Sequence, residues 1–351
     1  MNQQQPPAGA LDAFIQRMPK AELHLHLEGA VAPATLLAIA RRNHVELPAT
    51  TVPAIEKLFA YDDFGAFLSV FMTLARALTT GEDFAQIGHE LGAQLATDGV
   101  RYAEVMISPA QYHRRGLDLD EIIQGTLAGF AQATREYGVR FQLALDCGRQ
   151  FGPDLAGALL HHATRHRQHG LIGWSIGGDE HAYPSEAFAE VFAAARTAGL
   201  RVMCHAGEVV GPPSVWGAID ALHVERIGHG IRSVSDPQLV AALRDRGVTL
   251  DICPTSNLRT GAASSLAVHP LRILFDAGVR ITVNTDDPIF FATTMSNEYR
   301  LVARAFGFDA DELTQLALNA VDASFLPPAD QQAMRSTFMQ EIAALRAELG
   351  L

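Results

Sequence analysis

The sequence predicts a (β/α)8 barrel, and three observations lead to that fold class. Eight short apolar runs favour strands, Ala- and Leu-rich stretches with helical spacing lie between them, and the chain has 351 residues. A closed barrel needs about 250 residues, which leaves roughly 100 for additional elements. The alternative is an open doubly wound sheet, but no GxGxxG follows the first run, so the common nucleotide-binding signature of that fold is missing.

The eight predicted strands are apolar and most end at Gly, Pro, Asp or Glu. They are AELHLHLEG at 21–29, VRYAEVMISP at 100–109, VRFQLALDC at 139–147, LIGWSIGG at 171–178, LRVMCHAGE at 200–208, VERIGHG at 224–230, VTLDICP at 248–254 and VRITVNTDDP at 279–288. Segments between them, such as SEAFAEVFAAARTAG, have apolar residues at helical spacing and end on a glycine suited to a helix C-cap. Alternating strands and helices predict a parallel sheet.

The largest interruption is the stretch of about 70 residues between the first two runs, which has helical patterning from PATLLAIARRN to FAQIGHELGAQLA. We expect it to be an insertion into the barrel. Because no Ser-, Gly- or Pro-rich linker divides the chain, residues 1–351 are predicted to form a single domain. Residues 1–9 are polar and contain proline, and we expect them to be a flexible tail.

The composition excludes several classes of partner. With 27 Lys and Arg against 39 Asp and Glu, the formal charge of -12 repels a phosphate backbone, so nucleic acid is not expected as a partner. The three cysteines form no CxxC pair, which favours a reducing compartment over a disulfide framework. No signal-peptide pattern and no apolar stretch of about 20 residues are found, so we expect a cytoplasmic protein without a membrane partner. The oligomeric state stays open.

Titratable residues are concentrated where the predicted strands end, which is where barrel enzymes build their sites. The first run carries His24, His26 and Glu28, the fifth His205 and Glu208, the sixth His229, and the eighth Asp286 and Asp287.

His24 and His26 alternate with leucines, so both imidazoles point to one face of the first strand. A single histidine there could be a satisfied core residue, but two on one face would each need buried hydrogen-bond partners. Two imidazoles suit Zn²⁺, which needs at least a third ligand and an open position in a catalytic site. We therefore predict a metal site formed by His24, His26, His205 and Asp286.

Three further residues are candidates for proton transfer or substrate contact. Glu208 lies just past the fifth strand, where a desolvated carboxyl could act as a proton donor, or it could cap the following helix. His229 stands between glycines that let a ligand approach the backbone, although a turn histidine without a chemical role is the alternative. Asp287 should turn toward the rim, away from Asp286, to hold water or substrate; the alternative is an Asp-Pro turn.

Six motifs together resemble the adenosine deaminase family of the metal-dependent amidohydrolase superfamily. They are PKAELHLHLEGA, IGGDE, HAGE, ERIGHG, CPTSN and NTDDP, in the family's order and spread over about residues 19–290. The resemblance implies a (β/α)8 barrel with one zinc ion per subunit and hydrolytic removal of the 6-amino group of a purine as ammonia.

The resemblance also implies roles for individual residues. Glu208 corresponds to the proton donor to purine N1, and His229 to the group that orients or deprotonates the attacking water. Asp287 corresponds to the residue that holds both the hydroxide and the base, and Gly178 to the glycine whose backbone meets the N3 side. His26 and Glu28 complete the expected substrate contacts, with Glu28 near the ribose 5′ end.

The substrate is where this sequence departs from the family pattern. Glu28 stands where adenosine-specific members have aspartate, as in the adenine-specific branch, whereas GGDE and RIGHG resemble nucleoside deaminases. The C-terminal half also resembles enzymes that deaminate aminodeoxyfutalosine, an adenosine with a 5′ extension. Arg149 could contact a carboxylate or be an exposed loop residue.

The expected substrate is thus adenosine or a 5′-modified relative, with adenine as the alternative. A catalytically silent, nucleoside-binding barrel is the alternative of another class.

Overall fold

The computed structural model describes residues 9–61 and 63–351. Of the predicted flexible tail, residues 1–8 lie outside this range, and Gly9 is an exposed turn residue before the first helix. In the described part of the chain no single helix is long and apolar enough to cross a membrane, although the segments Phe64–Ala77 and Gly81–Thr97, bent by 117°, pass that test of length and composition when taken together.

Eight parallel strands follow one another in chain order around a nearly closed barrel, and the predicted fold class is confirmed. The strands are β1 Lys20–His26, β2 Val100–Ile107, β3 Arg140–Gly148, β4 Leu171–Gly177, β5 Arg201–Ala206, β6 Arg226–His229, β7 Thr249–Ile252 and β8 Ile281–Val283. Each lies within or overlaps one of the eight predicted runs. The last and first strands do not pair along their length, and a single bridge between Leu25 and Asp286 joins them.

Helices surround the barrel. Helix α1 Ala10–Arg17 precedes β1. Between β1 and β2 the chain forms α2 Pro33–Arg42, α3 Val52–Leu58, α4 Phe64–Leu74 and α5 Gly81–Thr97, so the predicted helical insertion is present. Between β2 and β8 lie α6 Pro109–Arg114, α7 Leu119–Tyr137, α8 Gly152–His166, α9 Ala189–Thr197, α10 Pro212–Asp220, α11 Pro237–Arg246, α12 Pro254–Arg259 and α13 Leu271–Asp276. After β8 come α14 Pro288–Phe291, α15 Met295–Phe306, α16 Ala310–Ala323 and α17 Pro328–Leu349, an extension that the sequence analysis did not single out.

The interior of the barrel is polar around a buried arginine on β6. The Arg226 guanidinium donates to Glu104 of β2 at 2.5 Å, to Asp251 of β7 at 2.9 Å and to the Leu23 carbonyl of β1 at 3.1 Å. It also lies 4.1 Å from the centre of the Phe325 ring. Because a buried charge is tolerated only when it is paired and hydrogen-bonded, this network fixes the positions of four strands relative to one another.

The network continues from Asp251 to the strand that carries the paired histidines. Thr282 donates to Asp251 at 2.8 Å and accepts from Asn284 at 2.8 Å. The Asn284 side-chain oxygen then accepts from the backbone N–H groups of Leu23, at 2.8 Å, and His24, at 3.2 Å. The Asn284 side chain therefore holds the backbone of β1 at His24, the first of the two histidines.

Lys20 begins β1 and is fully buried, with its ammonium donating to the carbonyls of Met18 at 3.0 Å and Asp98 at 2.8 Å. Burial lowers the pKa of this lysine to about 7. The folded chain thus releases the proton of Lys20 above pH 7, whereas the unfolded chain holds it to about pH 10.4.

This difference predicts a pH-dependent stability. Unfolding takes up a proton between about pH 7 and 10, so the stability of the wild type relative to Lys20→Met should rise through this window, by at most about 1.4 kcal/mol per pH unit. Urea unfolding at several pH values measures it, with the exposed Lys57→Met as the baseline. A stability difference that does not change with pH would contradict the assignment.

Candidate metal and catalytic site

Four side chains from three places in the barrel meet at its C-terminal end. The ligand atoms of His24 and His26 on β1, His205 on β5 and Asp286 after β8 all lie within 4.8 Å of one another. Asp286 Oδ1 is 3.4 Å from Nε2 of each β1 histidine, and the Nε2 atoms of His26 and His205 are 3.2 Å apart. The structure thus brings together the four residues predicted as metal ligands.

The protonation of this group fits a cation. His205 Nδ1 is 3.2 Å from the Ile176 carbonyl, which can only accept, so Nδ1 carries the proton and Nε2 presents its lone pair to the group. Burial lowers the pKa of His205 to about 4, which keeps the imidazole neutral. His24 Nε2 is buried without a hydrogen-bond partner. Three imidazoles and a carboxylate around one point are a donor set that suits a divalent transition metal.

Asp286 lies at the seam of the barrel. Its backbone N–H donates to the His24 carbonyl at 3.1 Å and its carbonyl accepts from the His26 N–H at 2.8 Å. Its φ is +67°, an uncommon value for a residue with a side chain. Ser256 donates to its Oδ2 at 2.7 Å. Burial opposes ionisation, but the neighbouring imidazoles, foremost His24, hold the pKa of Asp286 well below its usual value.

Two glycines make room for the side chains of the site. A Cβ on Gly228 of β6 would lie 2.5 Å from Cε1 of His24, and a Cβ on Gly29 would lie 1.8 Å from Oδ1 of Asp287. Neither position can carry a side chain without displacing its neighbour. These two positions therefore need glycine because the neighbouring side chains of the site leave no room for a Cβ, and not because of an unusual backbone conformation.

A cavity with about 620 Å³ of empty space, including open solvent, opens above the four-residue group. Residues that follow β5, β6 and β8 line one side of it, among them Glu208, His229 and Asp287. Residues that follow β2 and β3, including Ser108, Gln111 and Gln150, line the other side. Helix α4 covers it with an apolar wall, for which Phe64, Phe67, Leu68, Phe71 and Met72 supply the side chains at helical spacing.

Glu208 is a buried carboxyl beside His229, with 3.6 Å between its Oε2 and His229 Nε2. Its Oε1 is 3.4 Å from the Thr260 hydroxyl. Burial, with a smaller effect of Asp286, raises the pKa of Glu208 well above its usual value, which favours the protonated carboxyl. The alternative role as a helix cap is wrong, because Gly211 precedes the next helix.

The loop that carries Glu208 is held by Glu180. This carboxylate accepts from the backbone N–H of Gly207, from those of Val209 at 2.8 Å and Val210 at 2.9 Å, and from the Ser214 hydroxyl at 2.5 Å. Such bonds to an ionised acceptor are strong, and they fix the direction of the Glu208 backbone.

His229 ends β6 and is 1% exposed, so it is not a solvent-exposed turn histidine. A chain of hydrogen bonds sets its tautomer. The Leu271 N–H donates to His269 Nδ1 at 3.2 Å, so His269 Nε2 carries the proton and donates to Asn257 Oδ1 at 3.1 Å. The Asn257 amide then donates to His229 Nδ1 at 3.1 Å. Neutral His229 therefore carries its proton on Nε2, the atom that faces the cavity.

Asp287 and Gly178 also line the cavity. Asp287 Oδ1 is buried without a partner, and burial together with the adjacent Asp286 raises the pKa of Asp287 well above its usual value. Its position on the cavity wall would let it contact water or substrate, the role expected of it. Gly178 has a φ of +90° and lies against the side-chain oxygen of Gln150.

Glu28 does not line the cavity, although it was expected to contact substrate. Its Oε1 accepts from the Ser108 N–H at 2.9 Å and from the Tyr112 hydroxyl at 3.0 Å, and burial raises its pKa to about 7. Ser108 does line the cavity, so the geometry gives Glu28 an indirect effect on it through this residue.

Both expectations for Arg149 are wrong. The residue is fully buried, and its guanidinium donates to the carbonyls of Tyr183 at 2.8 Å and His205 at 2.5 Å. It therefore holds the end of β5 behind the site and is neither an exposed loop residue nor a group that faces the cavity. Its strand-end position in the sequence gave no indication of this burial.

Three supporting residues were missed in the sequence analysis: Glu180, Asn257 and His269. Glu180 and Asn257 lie within the motifs IGGDE and CPTSN, but no residue type or spacing revealed their partners. His269 is 12 residues from Asn257 and no strand-end pattern marks it. Their contacts form only when distant loops pack together.

Comparisons with known proteins agree with this geometry. A family model described as adenosine deaminase matches residues 19–341. The aminodeoxyfutalosine deaminase of Acidothermus cellulolyticus is 42% identical over 297 residues, 83% of each chain. The adenine deaminase of Cupriavidus pinatubonensis is 37% identical over 319 residues, 91% of each chain. A crystal structure of an amidohydrolase from Burkholderia ambifaria with bound zinc has a TM-score of 0.91 at 30% identity, covering 99% of this chain and 97% of that one.

The packing of Gly228 against His24 generates a prediction. In Gly228→Ala the added Cβ pushes the His24 ring out of the four-residue group, which should weaken divalent metal binding by about tenfold or more. Metal content after dialysis against a competing chelator measures this loss. Gly157→Ala, whose Cβ meets only Val191 at 3.6 Å, is the matched control. Equal metal retention in the two variants would contradict the assigned geometry.

Proposed function

This chain belongs to the adenosine deaminase family, and from this premise we propose that it is a zinc-dependent hydrolase that removes the 6-amino group of a purine nucleoside as ammonia. The observation that carries the proposal is the pairing of two features at one cavity: four converging metal ligands and a buried carboxyl with a raised pKa, Glu208, beside them. The first suits activation of water, and the second suits activation of the purine ring.

Zinc is the proposed metal because the donors are three imidazoles and one carboxylate, and a related amidohydrolase was crystallised with zinc. His24, His26, His205 and Asp286 would hold it, and their convergence on one point supports one ion per chain. A bound zinc ion would supply Lewis acidity, which lowers the pKa of water at the site to about 7.

Glu208 supplies the proton that makes the ring reactive. A neutral purine is a poor electrophile at C6, and protonation of N1 withdraws electrons from that carbon. The raised pKa of Glu208 favours the protonated carboxyl, the form that can donate to the ring nitrogen. Glu180 contributes by fixing the loop and hence the direction of the carboxyl.

His229 and Asp287 act on the attacking water. Asn257 donates to Nδ1 of His229, so the lone pair of that nitrogen is already engaged. The other ring nitrogen, Nε2, carries the proton of the neutral imidazole. Neither nitrogen is therefore free to take a proton from water. His229 therefore orients the water as a hydrogen-bond donor rather than removing its proton. Asp287, with an unpartnered oxygen on the cavity wall, accepts from the same water.

The protons balance over the reaction. The oxygen of water bonds to C6, the C6–N bond breaks, and ammonia departs with one proton taken from water. The second proton of the water replaces the one that Glu208 gave to N1, so the carboxyl is restored for the next turnover.

Adenine is the second candidate substrate, because a relative 37% identical to this chain is an adenine deaminase. The nucleoside is favoured by the space of the cavity, about 620 Å³ including open solvent, which extends from the metal ligands to Ser108 and Gln111. The third candidate, a silent nucleoside-binding barrel, requires a protein that neither retains zinc nor gains activity when zinc is added.

Ammonia release from adenosine, adenine and aminodeoxyfutalosine ranks the substrates. We expect a nucleoside to have the highest kcat/KM, because the space beyond the base can receive its sugar. A clear preference for free adenine would overturn the nucleoside assignment. The absence of zinc and of turnover after zinc addition would favour the silent barrel.

Glu208→Gln should retain zinc but lose turnover by about 100-fold or more, because an amide cannot donate its proton to N1. Steady-state kinetics and zinc content measure the two effects separately. Glu341→Gln, at a partly exposed position of helix α17 where the carboxylate pairs with Arg101, is the control for the charge change. Nearly full activity in Glu208→Gln would exclude the proton-donor role.

The tautomer chain predicts a split between two substitutions at His269. His269→Leu removes the donor that orients the Asn257 amide, so kcat should fall by roughly 10- to 100-fold while zinc is retained. His269→Gln keeps an N–H donor and should recover part of the loss. In the wild type, the ¹⁵N shifts of the His229 ring should show the proton on Nε2. In the leucine variant, they should show the proton shared between Nδ1 and Nε2. Equal kcat in both variants would contradict the chain.

A further inference from the structure

Glu298 is a fully buried carboxyl on helix α15, and it does not line the catalytic cavity. Its Oε2 accepts from the Thr255 backbone N–H at 3.1 Å, and its Oε1 accepts from the Thr293 hydroxyl. It forms no ion pair with any residue in the ranges 9–61 and 63–351. A carboxyl is costly to bury without a cation, whereas an apolar side chain could fill the same space without that cost.

Thr255 lies in the first turn of α12, and the two residues that follow it supply two contacts of the site. The Ser256 hydroxyl donates to Oδ2 of Asp286 at 2.7 Å. The Asn257 amide donates to Nδ1 of His229 at 3.1 Å. Because α12 has only six residues, its own hydrogen bonds do little to fix its direction. The bond to the Thr255 N–H therefore helps to set where both side chains point.

Thr293 ends the turn that follows Asp287. The Phe291 N–H donates to the Asp287 carbonyl at 3.0 Å, and the Thr293 N–H donates to the Pro288 carbonyl at 2.9 Å. The Glu298 carboxyl therefore joins this turn, which follows β8, to the first turn of α12, which follows β7. One side chain thus ties together the two loops on which the spacing of the site depends.

We propose that Glu298 is a positioning residue for two parts of the site at once. By holding the loop after β7 against the loop after β8, it directs the Ser256 hydroxyl to the metal ligand Asp286. Through the next residue it directs the Asn257 amide to His229 and so fixes the tautomer of that imidazole. The effect on turnover rests on the proposed deamination, whereas both contacts are made without a substrate.

Glu298→Leu removes both acceptors. We expect zinc to pass to a competing chelator about tenfold faster than from the wild type. We also expect kcat to fall by about tenfold with little change in KM, because Glu298 acts on the orientation of the reacting groups and does not line the cavity. Glu298→Gln keeps an acceptor for the Thr255 N–H and should recover most of both losses. Wild-type zinc retention and kcat in the leucine variant, or no recovery in the glutamine variant, would overturn the proposal.

Thr293→Val tests the same link if Glu298→Leu does not fold, because it removes one donor and keeps the shape of the side chain. Zinc loss and kcat should each change by about threefold. Asp83→Asn is the matched control: its carboxyl is equally buried and caps helix α5 in the insertion. This control should lower the free energy of unfolding without changing zinc loss or kcat. An equal effect of the control on zinc loss would show general destabilisation and overturn the proposal.

Double variants test the route of the effect. In a Ser256→Ala background, Glu298→Leu should no longer speed zinc loss, because the contact through which it acts is already absent. Alone, Glu298→Leu should leave the proton of the His229 ring shared between Nδ1 and Nε2, as its ¹⁵N shifts report. In a His269→Leu background, where the Asn257 amide has lost its orienting partner, it should cause no further change in these shifts. A full effect of Glu298→Leu in either background would overturn the positioning role.

Zinc retention and ¹⁵N shifts are measured without a substrate, so the inference and the proposed function can fail separately. If no purine is deaminated but Glu298→Leu still speeds zinc loss and mixes the tautomers, the positioning role stands and the deamination assignment fails. If adenosine is deaminated and Glu298→Leu changes neither quantity, the function stands and the positioning role fails.

Discussion

The structure depends on how the barrel closes between its last and first strands. Two backbone hydrogen bonds join Asp286 to His24 and His26 across this seam, and the same three residues supply most of the metal ligands. The bonds that close the barrel therefore also set the spacing of the donor atoms. The Asn284 side chain also accepts from the N–H groups of Leu23 and His24 across this seam, so the metal site and the closure of the barrel are coupled there.

Hydrogen bonds from outside the cavity decide the protonation of the side chains inside it. The Ile176 carbonyl fixes the proton of His205 on Nδ1 and leaves Nε2 for a metal, whereas Asn257 fixes the proton of His229 on Nε2. Two buried, neutral imidazoles thus have opposite tautomers within one cavity. One is suited to coordination and the other to hydrogen-bond donation, and the difference lies in residues that never touch the substrate.

The barrel mouth is divided between chemistry and recognition. Ligands and proton-transfer groups come from β1, β5, β6 and the segment after β8, whereas Ser108, Gln111 and Gln150, which follow β2 and β3, line the other side of the cavity. Loops and inserted helices on a barrel can carry recognition separately from the chemistry at the strand ends.

The sequence by itself determined the barrel, its eight strands, and the group of residues at the strand ends, because strand periodicity and parallel topology force such side chains to one end. It could not determine that Glu28 faces Ser108 and Tyr112, that Arg149 is buried behind β5, or that His269 reaches His229 through Asn257. These contacts join residues far apart in the chain or change direction within a single turn, so no local pattern encodes them. Only the packing of loops over the barrel decides which polar groups find partners and which are left for a ligand.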